Sequence, residues 1–310
     1  MNDHVTISLY KILKKFPDNE TARKFLERKR WGDTPTCPYC SYTHSVARTD
    51  KKLGFYRCNH CRKEYSVRTN SIFANSKVGL DKWVIAMYLM VTARKGVSSM
   101  QLSKELDITQ KTAWFLCHRI RSAMGNGKYS GLLQGIVEMD ETYVGGKEAN
   151  KHNSKKLHEG RGSVGKTPVV GIVERGGRVR SFVTADTTQL TLQGLVALNV
   201  QKGAVVNTDE FRGYGDLSEK GYVHNRVNHS AKLYVDGKAY TNGIESVWSL
   251  VKRGFYGTFH KFTLEHLQRY VDEFDFRWNK GNCKVPTDER IDSLVCGCWG
   301  KTLNYRTLVA

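Results

Sequence analysis

The sequence contains no long hydrophobic run. Its longest mainly apolar stretch, residues 83–93, is far shorter than the roughly 20 residues that a membrane-spanning helix needs. The first residues, Met1 to His4, also lack the basic and apolar segments of a secretory signal. These absences argue against a membrane protein and a secreted protein, and we expect an intracellular, cytoplasmic protein.

Acidic residues are scarce relative to basic ones. The 310 residues include 30 Asp and Glu against 49 Lys and Arg, which gives a net charge of +19. The excess is uneven, because residues 1–130 carry a net charge of +14 and residues 131–310 only +5. Chains this basic typically bind a polyanion, since each Lys or Arg that neutralises a phosphate releases a counterion. A merely solvated basic surface or a basic membrane-surface helix are the alternatives, but no long amphipathic basic helix is present.

Four of the eight cysteines have a spacing typical of a metal site. Cys37 and Cys40 form one CxxC pair, Cys58 and Cys61 form another, and 17 residues separate the pairs. This spacing lets four thiolates converge on one tetrahedral ion, so we predict structural zinc, with an iron–sulfur centre or a redox pair as alternatives. His60 lies between two ligands and is expected at the surface. The other four cysteines show no paired spacing and are expected to be buried or incidental: Cys117, Cys283, Cys296 and Cys298.

The segment after the cysteines predicts a helix-turn-helix. Apolar spacing indicates a helix over residues 80–93, then a short helix over 99–106 and a turn at Asp107-Ile108. A second helix, capped by Thr109, continues to about Met124. The N-terminal part of such a helix enters the DNA major groove. Its basic side chains are predicted DNA contacts, and the alternative is an ordinary three-helix bundle with a basic face: Lys111, Arg119 and Arg121.

From Gly135 onwards the pattern changes to strands. Residues 135–144, 167–173 and 179–183 are predicted strands, and Gly176-Gly177 indicates a hairpin between the last two. A helix over about 191–201 and a strand over 204–209 follow. Three antiparallel strands, a helix and a returning parallel strand form the order of an α/β RNase H-like domain. In that order Asp140 and Asp209 lie side by side.

A third acid, Glu245, lies in a predicted helix that begins near Tyr240. Phosphoryl transfer to or from DNA uses two divalent cations, and three carboxylates from two strands and a facing helix can hold them. Hard oxygen ligands suit Mg²⁺. Lys252 lies two turns along the same helix face and is expected to reach a phosphate. Clustered carboxylates repel one another unless cations bind, so we predict a catalytic metal site.

Each acid also has a structural explanation. Asp209 could cap the turn that follows it, and Glu245 could be an acid favoured by the helix dipole in a first turn. Glu138 or Glu141 could be the ligand in place of Asp140. Strand alternation puts Glu138 on the same face as Asp140 and Glu141 on the opposite face.

Three segments carry a resemblance to a known family. Residues 139–147 (MDETYVGGK), 162–171 (GSVGKTPVVG) and 245–254 (ESVWSLVKRG) resemble the DDE transposases of bacterial insertion sequences, most closely the zinc-ribbon-bearing ISXO-two-like subgroup. The resemblance covers about residues 20–280. It implies that Asp140, Asp209 and Glu245 bind two Mg²⁺ or Mn²⁺ ions, with Lys252 as the associated basic residue and Asn242 as an auxiliary ligand. It also implies zinc at the four paired cysteines.

Together these features predict a multidomain protein, α plus small β followed by α/β. The expected parts are an N-terminal helical segment (1–34), a zinc ribbon (35–70), a helix-turn-helix DNA-binding domain (78–126), an RNase H-like catalytic domain (131–282) and a C-terminal tail (283–310).

The expected function is DNA transposition. The protein would bind the terminal inverted repeats of its element as a homodimer or larger synaptic complex on double-stranded DNA, associated with a bacterial nucleoid. Water would attack the phosphodiester at the element end, and the freed 3′-hydroxyl would then attack target DNA. The basic loop 145–166 is expected to lie against DNA. The alternatives are a transposase-derived DNA-binding regulator without catalysis and a nuclease that cleaves but does not join.

Overall fold

A computed structural model of the chain describes residues 6–48, 53–125, 131–146, 148–157, 164–227 and 240–309. The chain divides into two compact units. Unit 1 comprises Met1–Asn126 together with Lys280–Ala310, and unit 2 comprises Gly127–Asn279. Unit 1 is therefore formed by two segments of the chain, one on each side of unit 2.

The described residues form ten α-helices and eight strands. The helices are α1 (Leu9–Lys15), α2 (Asn19–Trp31), α3 (Leu80–Thr92), α4 (Ser99–Glu105), α5 (Gln110–Met124), α6 (Gln189–Asn199), α7 (Asn242–Gly254), α8 (Leu264–Trp278), α9 (Thr287–Cys296) and α10 (Tyr305–Val309). The strands are β1 (Ser45–Ala47), β2 (Phe55–Cys58), β3 (Glu64–Ser66), β4 (Ile136–Val144), β5 (Thr167–Glu174), β6 (Val179–Val183), β7 (Val205–Thr208) and β8 (Val223–Arg226).

Unit 1 is mainly helical, with a small antiparallel sheet of order β1-β2-β3. The helix bounds predicted for α3, α4 and α5 are confirmed to within one residue. The side chain of Thr109 accepts a hydrogen bond from the Thr112 amide at 3.2 Å, so it caps α5 as predicted. Asp107 adopts a left-handed backbone conformation (φ 48°) in the turn between α4 and α5.

The C-terminal residues complete unit 1. The amide of Ile72 donates to the carbonyl oxygen of Cys298 at 2.9 Å, and Ser71 forms a β-bridge with Trp299. The buried guanidinium of Arg290 in α9 donates to the carbonyl oxygen of Val91 in α3 at 3.0 Å. The segment expected from the sequence as a tail thus contains two helices and is bonded to α3 and to the segment that precedes it.

Unit 2 is built on a five-stranded mixed sheet of order β6-β5-β4-β7-β8. The pairs β4–β5 and β5–β6 are antiparallel, whereas β4–β7 and β7–β8 are parallel. This confirms the predicted strand order, and Gly176 has the positive φ (73°) expected in the turn between β5 and β6. Strand β8 was not predicted.

Helices cover both faces of this sheet. One face packs against α6 through an apolar cluster that includes Val137, Met139 and Val196. The other face packs against α7 and α8 through a second cluster that includes Val169, Trp248 and Val271. Alternate residues of β4 therefore contribute to two different cores, and the sheet is fixed from both sides.

Candidate metal centres

The four paired cysteines converge as their spacing predicts. The Sγ atoms of Cys37 and Cys61 are 3.6 Å apart, as are those of Cys40 and Cys58, and all four lie within 4.8 Å of one another. A tetrahedral zinc ion with Zn–S bonds of about 2.3 Å requires sulfur separations of about 3.8 Å. A disulfide requires about 2.05 Å. The arrangement therefore fits zinc, and we call these four residues the cysteine cluster.

Little apolar material surrounds the cysteine cluster. Its buried residues are Cys37, Cys58 and Tyr65, with the partly buried rings of Trp31 and Tyr56 against them. The Trp31 ring meets the rings of Tyr56 and Tyr65 edge-on, with centroids 5.5 and 5.6 Å apart. A metal ion can supply the folding free energy that such a small core lacks. His60 is exposed, as predicted.

Strand register brings Asp140 and Asp209 together. The parallel pairing of β4 with β7 ends at Glu138 opposite Asn207. Two residues further along each strand, Asp140 is level with Asp209, which follows the end of β7. Oxygen atoms of Asp140, Asp209 and Glu141 all lie within 4.8 Å of one another. We call these three residues the carboxylate cluster.

Glu141 joins the carboxylate cluster although it starts on the opposite face of the sheet. Its neighbours Met139 and Val137 belong to the α6 face, whereas Asp140 contacts α7. The hydroxyl of Tyr214, itself fully buried, donates to Glu141 Oε2 at 2.6 Å. The alternation was predicted correctly, but it does not separate the carboxylates, because both reach the sheet edge where β7 has ended.

Electrostatics show that the carboxylate cluster is unfavourable by itself. Burial, together with the charges of Glu141 and Asp209, raises the pKa of Asp140 to about 7. Burial also raises the pKa of Glu141, although the hydrogen bond from Tyr214 lowers it. The pKa of Tyr214 lies well above its usual range, because the ring is buried and faces Glu141. Three crowded oxygen ligands of this kind fit a hard divalent cation.

Helix α7 is fixed beside the carboxylate cluster by Glu138, and Gly243 leaves room for this contact. Buried Glu138 accepts hydrogen bonds from the amides of Gly243 and Ile244 at 2.7 and 3.1 Å, and pairs with Arg175 at 3.2 Å. A Cβ atom at Gly243 would lie 2.6 Å from Glu138 Oε2. Glu138 thus binds the positive end of the α7 dipole and does not join the carboxylate cluster, which removes one alternative from the sequence.

Gly171 allows α7 to approach the sheet at the level of Asp140. It pairs with Asp140 in the β4–β5 ladder. A Cβ atom there would lie 2.6 Å from both Ile244 Cδ1 and Trp248 Cη2. Because this space is left open, Trp248 Nε1 donates to Asp140 Oδ2 at 2.9 Å. The indole therefore orients the first acid of the cluster.

Glu245 lies outside the carboxylate cluster. It is exposed in the first turn of α7, and its Oε1 accepts a hydrogen bond from Thr241 Oγ1 at 3.3 Å. It lies one turn before Trp248, so it shares the helix face that contacts Asp140. Lys252, one turn after Trp248, is exposed, as is Asn242.

Asp209 has two roles. It closes the turn after β7, which was its predicted structural alternative, and it belongs to the carboxylate cluster. Its Oδ1 accepts a hydrogen bond from the Phe211 amide at 3.0 Å, which closes the turn after β7. The turn holds the carboxylate at the strand end.

Two predicted DNA contacts are wrong. Arg119 and Arg121 are only 3% and 2% exposed, since α5 is buried on nearly all sides after its first turn and a half. Arg119 donates to the carbonyl oxygen of Ala74, and its guanidinium lies 5.4 Å from the Trp83 ring centroid. Lys111, in the exposed first turn, remains accessible.

The basic loop is only partly described. Lys147 and residues 158–163 lie outside the described residues. The described part contains two short 3₁₀ turns, Glu148–Asn150 and Asn153–Lys155. Across the described ranges of the chain, no helix is long and apolar enough to cross a membrane.

Comparison with known proteins agrees with this organisation. Residues 132–279 match the ISXO2-like transposase domain, and residues 17–64 match the transposase zinc-ribbon domain. An uncharacterized protein in transposable element ISH50 of Halobacterium salinarum is 31% identical over 253 residues, which cover 78% of this chain and 84% of that protein.

Solved structures of the Mos1 transposase overlap the chain weakly. The Mos1 strand transfer complex is 14% identical, covers 64% of this chain and 76% of its own, and has a TM-score of 0.20. The Mos1 paired-end complex with left transposon end is 12% identical, covers 64% and 77%, and has a TM-score of 0.22. Overlaps this weak carry no argument about the fold. The two matched domains and the Halobacterium relative instead show the family. The chain belongs to the ISXO2-like transposase family with an N-terminal zinc ribbon.

Proposed function

We propose that this transposase binds the terminal inverted repeats of its element and catalyses divalent-cation-dependent DNA cleavage and strand transfer at the carboxylate cluster. The observation that carries the proposal is the register of β4 and β7, which sets Asp140 beside Asp209 at the end of the shorter strand. The bonding of Trp248 to Asp140 brings α7, with Glu245 and Lys252, to the same edge.

The architecture of unit 2 supports an RNase H-like fold. Three antiparallel strands are followed by a helix and two parallel strands, in the order β6-β5-β4-β7-β8. Helices cover both faces, and the acids lie where the parallel strand β7 ends. Ligand sites of open α/β sheets lie beyond the carboxyl ends of their strands.

We propose that Asp140 and Asp209 hold catalytic Mg²⁺ or Mn²⁺, with Glu141 and Glu245 as the acids on either side. When bound, two divalent cations would activate the attacking oxygen and stabilise the leaving oxygen. Trp248 keeps the Asp140 carboxylate oriented, and Tyr214 does the same for Glu141. Glu245 lies one helical turn before Trp248, which contacts Asp140. A rotation of the Glu245 side chain is the smallest change that would add it to the carboxylate cluster. Lys252 would hold a phosphate.

Unit 1 is proposed to bind duplex DNA through a helix-turn-helix formed by α4 and α5. Exposure of its second helix is confined to the start, at the capping residue Thr109 and at Gln110 and Lys111. This is the part of a recognition helix that reaches base edges. The zinc ribbon and the excess positive charge of residues 1–130 would add phosphate contacts. Because two element ends must be joined, we propose a homodimer or a larger synaptic complex.

The test is strand transfer in vitro. Purified protein is incubated with Mg²⁺ and a labelled duplex that carries the element's terminal repeat. Asp209→Asn removes one charge of the carboxylate cluster, and Glu219→Gln removes one charge from an exposed residue of the same unit. Joined products from the wild type and Glu219→Gln, but not from Asp209→Asn, are the expected result.

Other outcomes select the alternatives. Specific binding without cleavage by any of the proteins would favour a DNA-binding regulator. Cleavage without joining would favour a nuclease. Equal joining by Asp209→Asn and wild type would overturn the assignment of the carboxylate cluster as the catalytic centre.

A further inference from the structure

A cavity in unit 1 has no part in the chemistry above. Its volume is about 260 Å³, and it lies beside the first two turns of α5. Trp83 of α3, the segment 75–78 and Tyr305 of α10 form its other walls. We call it the Trp83 cavity. Its volume is just below the roughly 300–1,000 Å³ of ordinary small-molecule sites, so it has room for one planar ring system and a small charged group.

The Trp83 cavity is cationic. Lys77 and Lys111 are exposed at its margin, and the buried guanidinium of Arg119 lines its interior. None of the described residues that line it is acidic. Such a lining attracts an anion and offers no carboxylate to repel it.

Arg119 points to a ligand because its hydrogen bonding is incomplete. The side chain is 3% exposed, and its Nε has no hydrogen-bond partner. Burial, together with the charge of the neighbouring Arg68, lowers the pKa of Arg119 to about 10. Arg68 itself donates to the carbonyl oxygens of Ser76 and Val78, so it holds the cavity wall in place. A buried donor without a partner destabilises a protein unless a ligand or solvent satisfies it.

Three aromatic rings also line the cavity, those of Trp83, Phe115 and Tyr305. The guanidinium of Arg119 lies 5.4 and 5.1 Å from the ring centroids of Trp83 and Phe115. Lys111 Nζ lies 4.7 Å from the centroid of Tyr305. Rings alternating with cations are the composition that proteins use to stack unpaired bases while binding their phosphates.

We propose that the Trp83 cavity binds one unstacked nucleotide of DNA. The base would lie among Trp83, Phe115 and Tyr305, and the phosphate would lie at Lys77 and Lys111. The inference rests on the proposed function, since it takes unit 1 to be the DNA-binding unit. It adds that this unit binds unpaired nucleotides as well as duplex. Lys111 joins the two sites, because it lies in the exposed first turn of α5 and also lines the cavity.

The test follows the fluorescence of 2-aminopurine, which falls when the base stacks on an aromatic ring. The full chain is titrated, without divalent cations, into a short single-stranded oligodeoxynucleotide that carries one 2-aminopurine. The same base in a fully paired duplex and as the free deoxynucleoside monophosphate forms the comparison arms, and inorganic phosphate is the competitor. We expect strong quenching in the single strand, weak quenching in the duplex and weaker binding of the free nucleotide.

Four variants make the test specific. Phe115→Leu removes a ring and should weaken binding about 5- to 100-fold, and Lys111→Gln should weaken it about tenfold. Lys104→Gln removes an exposed charge of α4, and Tyr10→Leu removes an exposed ring that lies 4.4 Å from Lys14 Nζ. Neither control should weaken binding. Lys111 is exposed, so its substitution tests the cavity without disturbing the core, and melting curves check the fold of Phe115→Leu.

Several results would overturn the proposal. These are equal quenching by all variants, an equal loss in the two controls, and a free nucleotide that binds as tightly as the oligonucleotide. A site for phosphate alone is indicated if phosphate displaces the strand while Phe115→Leu binds normally. The assay is independent of catalysis, because Asp209→Asn should quench like the wild type. Failure of strand transfer and failure of the cavity proposal are therefore separate results.

Discussion

The cysteine cluster and the carboxylate cluster both bring together side chains that suit a metal ion, but they are supported in different ways. Around the cysteines there are three short strands and a few aromatic rings. The carboxylates lie where the inner strand β7 ends, in a five-stranded sheet with an apolar core on each face. The first group has little to hold it in place without its ion, whereas the second is held by a fold that does not depend on one.

This difference distinguishes a site where a metal would build structure from a site where the proposed metal would perform chemistry. In the ribbon, thiolate–metal bonds would replace a core, so loss of the ion should unfold the segment. At the carboxylate cluster the scaffold forces acids together at a cost, and an ion would relieve that cost. Neutralising a ligand should therefore lower the stability of the protein at the cysteine cluster and raise it at the carboxylate cluster. The following experiments test this contrast.

The largest effect is expected at the cysteine cluster. Cys58→Ser, or removal of zinc by a chelator, should unfold residues 35–66, because structural zinc contributes an apparent ~10–16 kcal/mol in small zinc domains. Zinc content and protease sensitivity of this segment are the measurements. Cys296→Ser, at an exposed cysteine, is the control and should behave like the wild type. If the chelated protein keeps its protease resistance, the ribbon has a core that the structure does not reveal.

A smaller loss is expected when the scaffold around the carboxylates is overpacked. Gly171→Ala places a methyl group 2.6 Å from Trp248 and Ile244, so α7 must move away from the sheet. We expect a loss of about 2–3 kcal/mol of unfolding free energy, measured by urea denaturation, together with reduced strand transfer. Gly194→Ala in α6 is the matched control, since no atom lies within 4 Å of its added Cβ. Unchanged stability of Gly171→Ala would mean that α7 packs less closely than described.

Neutralising Asp140 should stabilise the protein, whereas the cysteine substitution should destabilise it. The pKa of Asp140 is raised from its ordinary value of 3.8 to about 7, so the folded state binds this proton more tightly than the unfolded state. The contribution of Asp140 to the free energy of unfolding is therefore most favourable below about pH 4, and it declines as the pH rises to about 7.

Asp140→Asn removes this penalty. Without divalent cations at pH 8, the variant should be more stable than the wild type by about 2 kcal/mol, with a Tm higher by several degrees. Mg²⁺ should raise the Tm of the wild type but not of the variant. Glu219→Gln, an exposed carboxylate, should change neither quantity. A variant that is less stable than the wild type at pH 8 would contradict the proposed repulsion.

The smallest effect concerns the orientation of one carboxylate. Trp248→Phe keeps most of the apolar contact of α7 but removes the N–H donor to Asp140. Because this bond lowers the pKa of Asp140, that pKa should rise further above its present value of about 7. The increase in Tm caused by Mg²⁺ should shrink at pH 7 and recover at pH 8.5, with a stability loss of about 1 kcal/mol. An unchanged pH profile would show that the indole does not control this carboxylate.

Much of the organisation could be predicted from the sequence. The CxxC spacing located the cysteine cluster, and the alternation and length of apolar runs located β4, β5, β6 and β7. The pairing of Asp140 with Asp209 followed from strand order alone. These features depend on local patterns or on the general rules of sheet topology.

Other features depended on contacts that no local pattern contains. The membership of Glu141 in the carboxylate cluster needed the position at which β7 ends, since alternation alone places Glu141 on the far face. The burial of Arg119 needed the packing of α3 and the segment 74–78 around α5, and that of Arg121 likewise could not be read from the sequence pattern of α5. The positive charge of these residues suggested a surface, but long side chains with apolar stems can be buried against aromatic rings. Strand β8 and the two C-terminal helices carried too weak a pattern.

The division of the chain has a consequence for the order in which the protein can be made. Unit 1 is assembled from two segments with the whole of unit 2 inserted between them. On the ribosome, unit 2 therefore emerges complete while unit 1 still lacks the residues that bond to Ile72 and Val91. A message cut short after residue 279 would encode all of unit 2 but would leave unit 1 without its second segment. The insertion thus makes synthesis beyond unit 2 a precondition for the completion of unit 1.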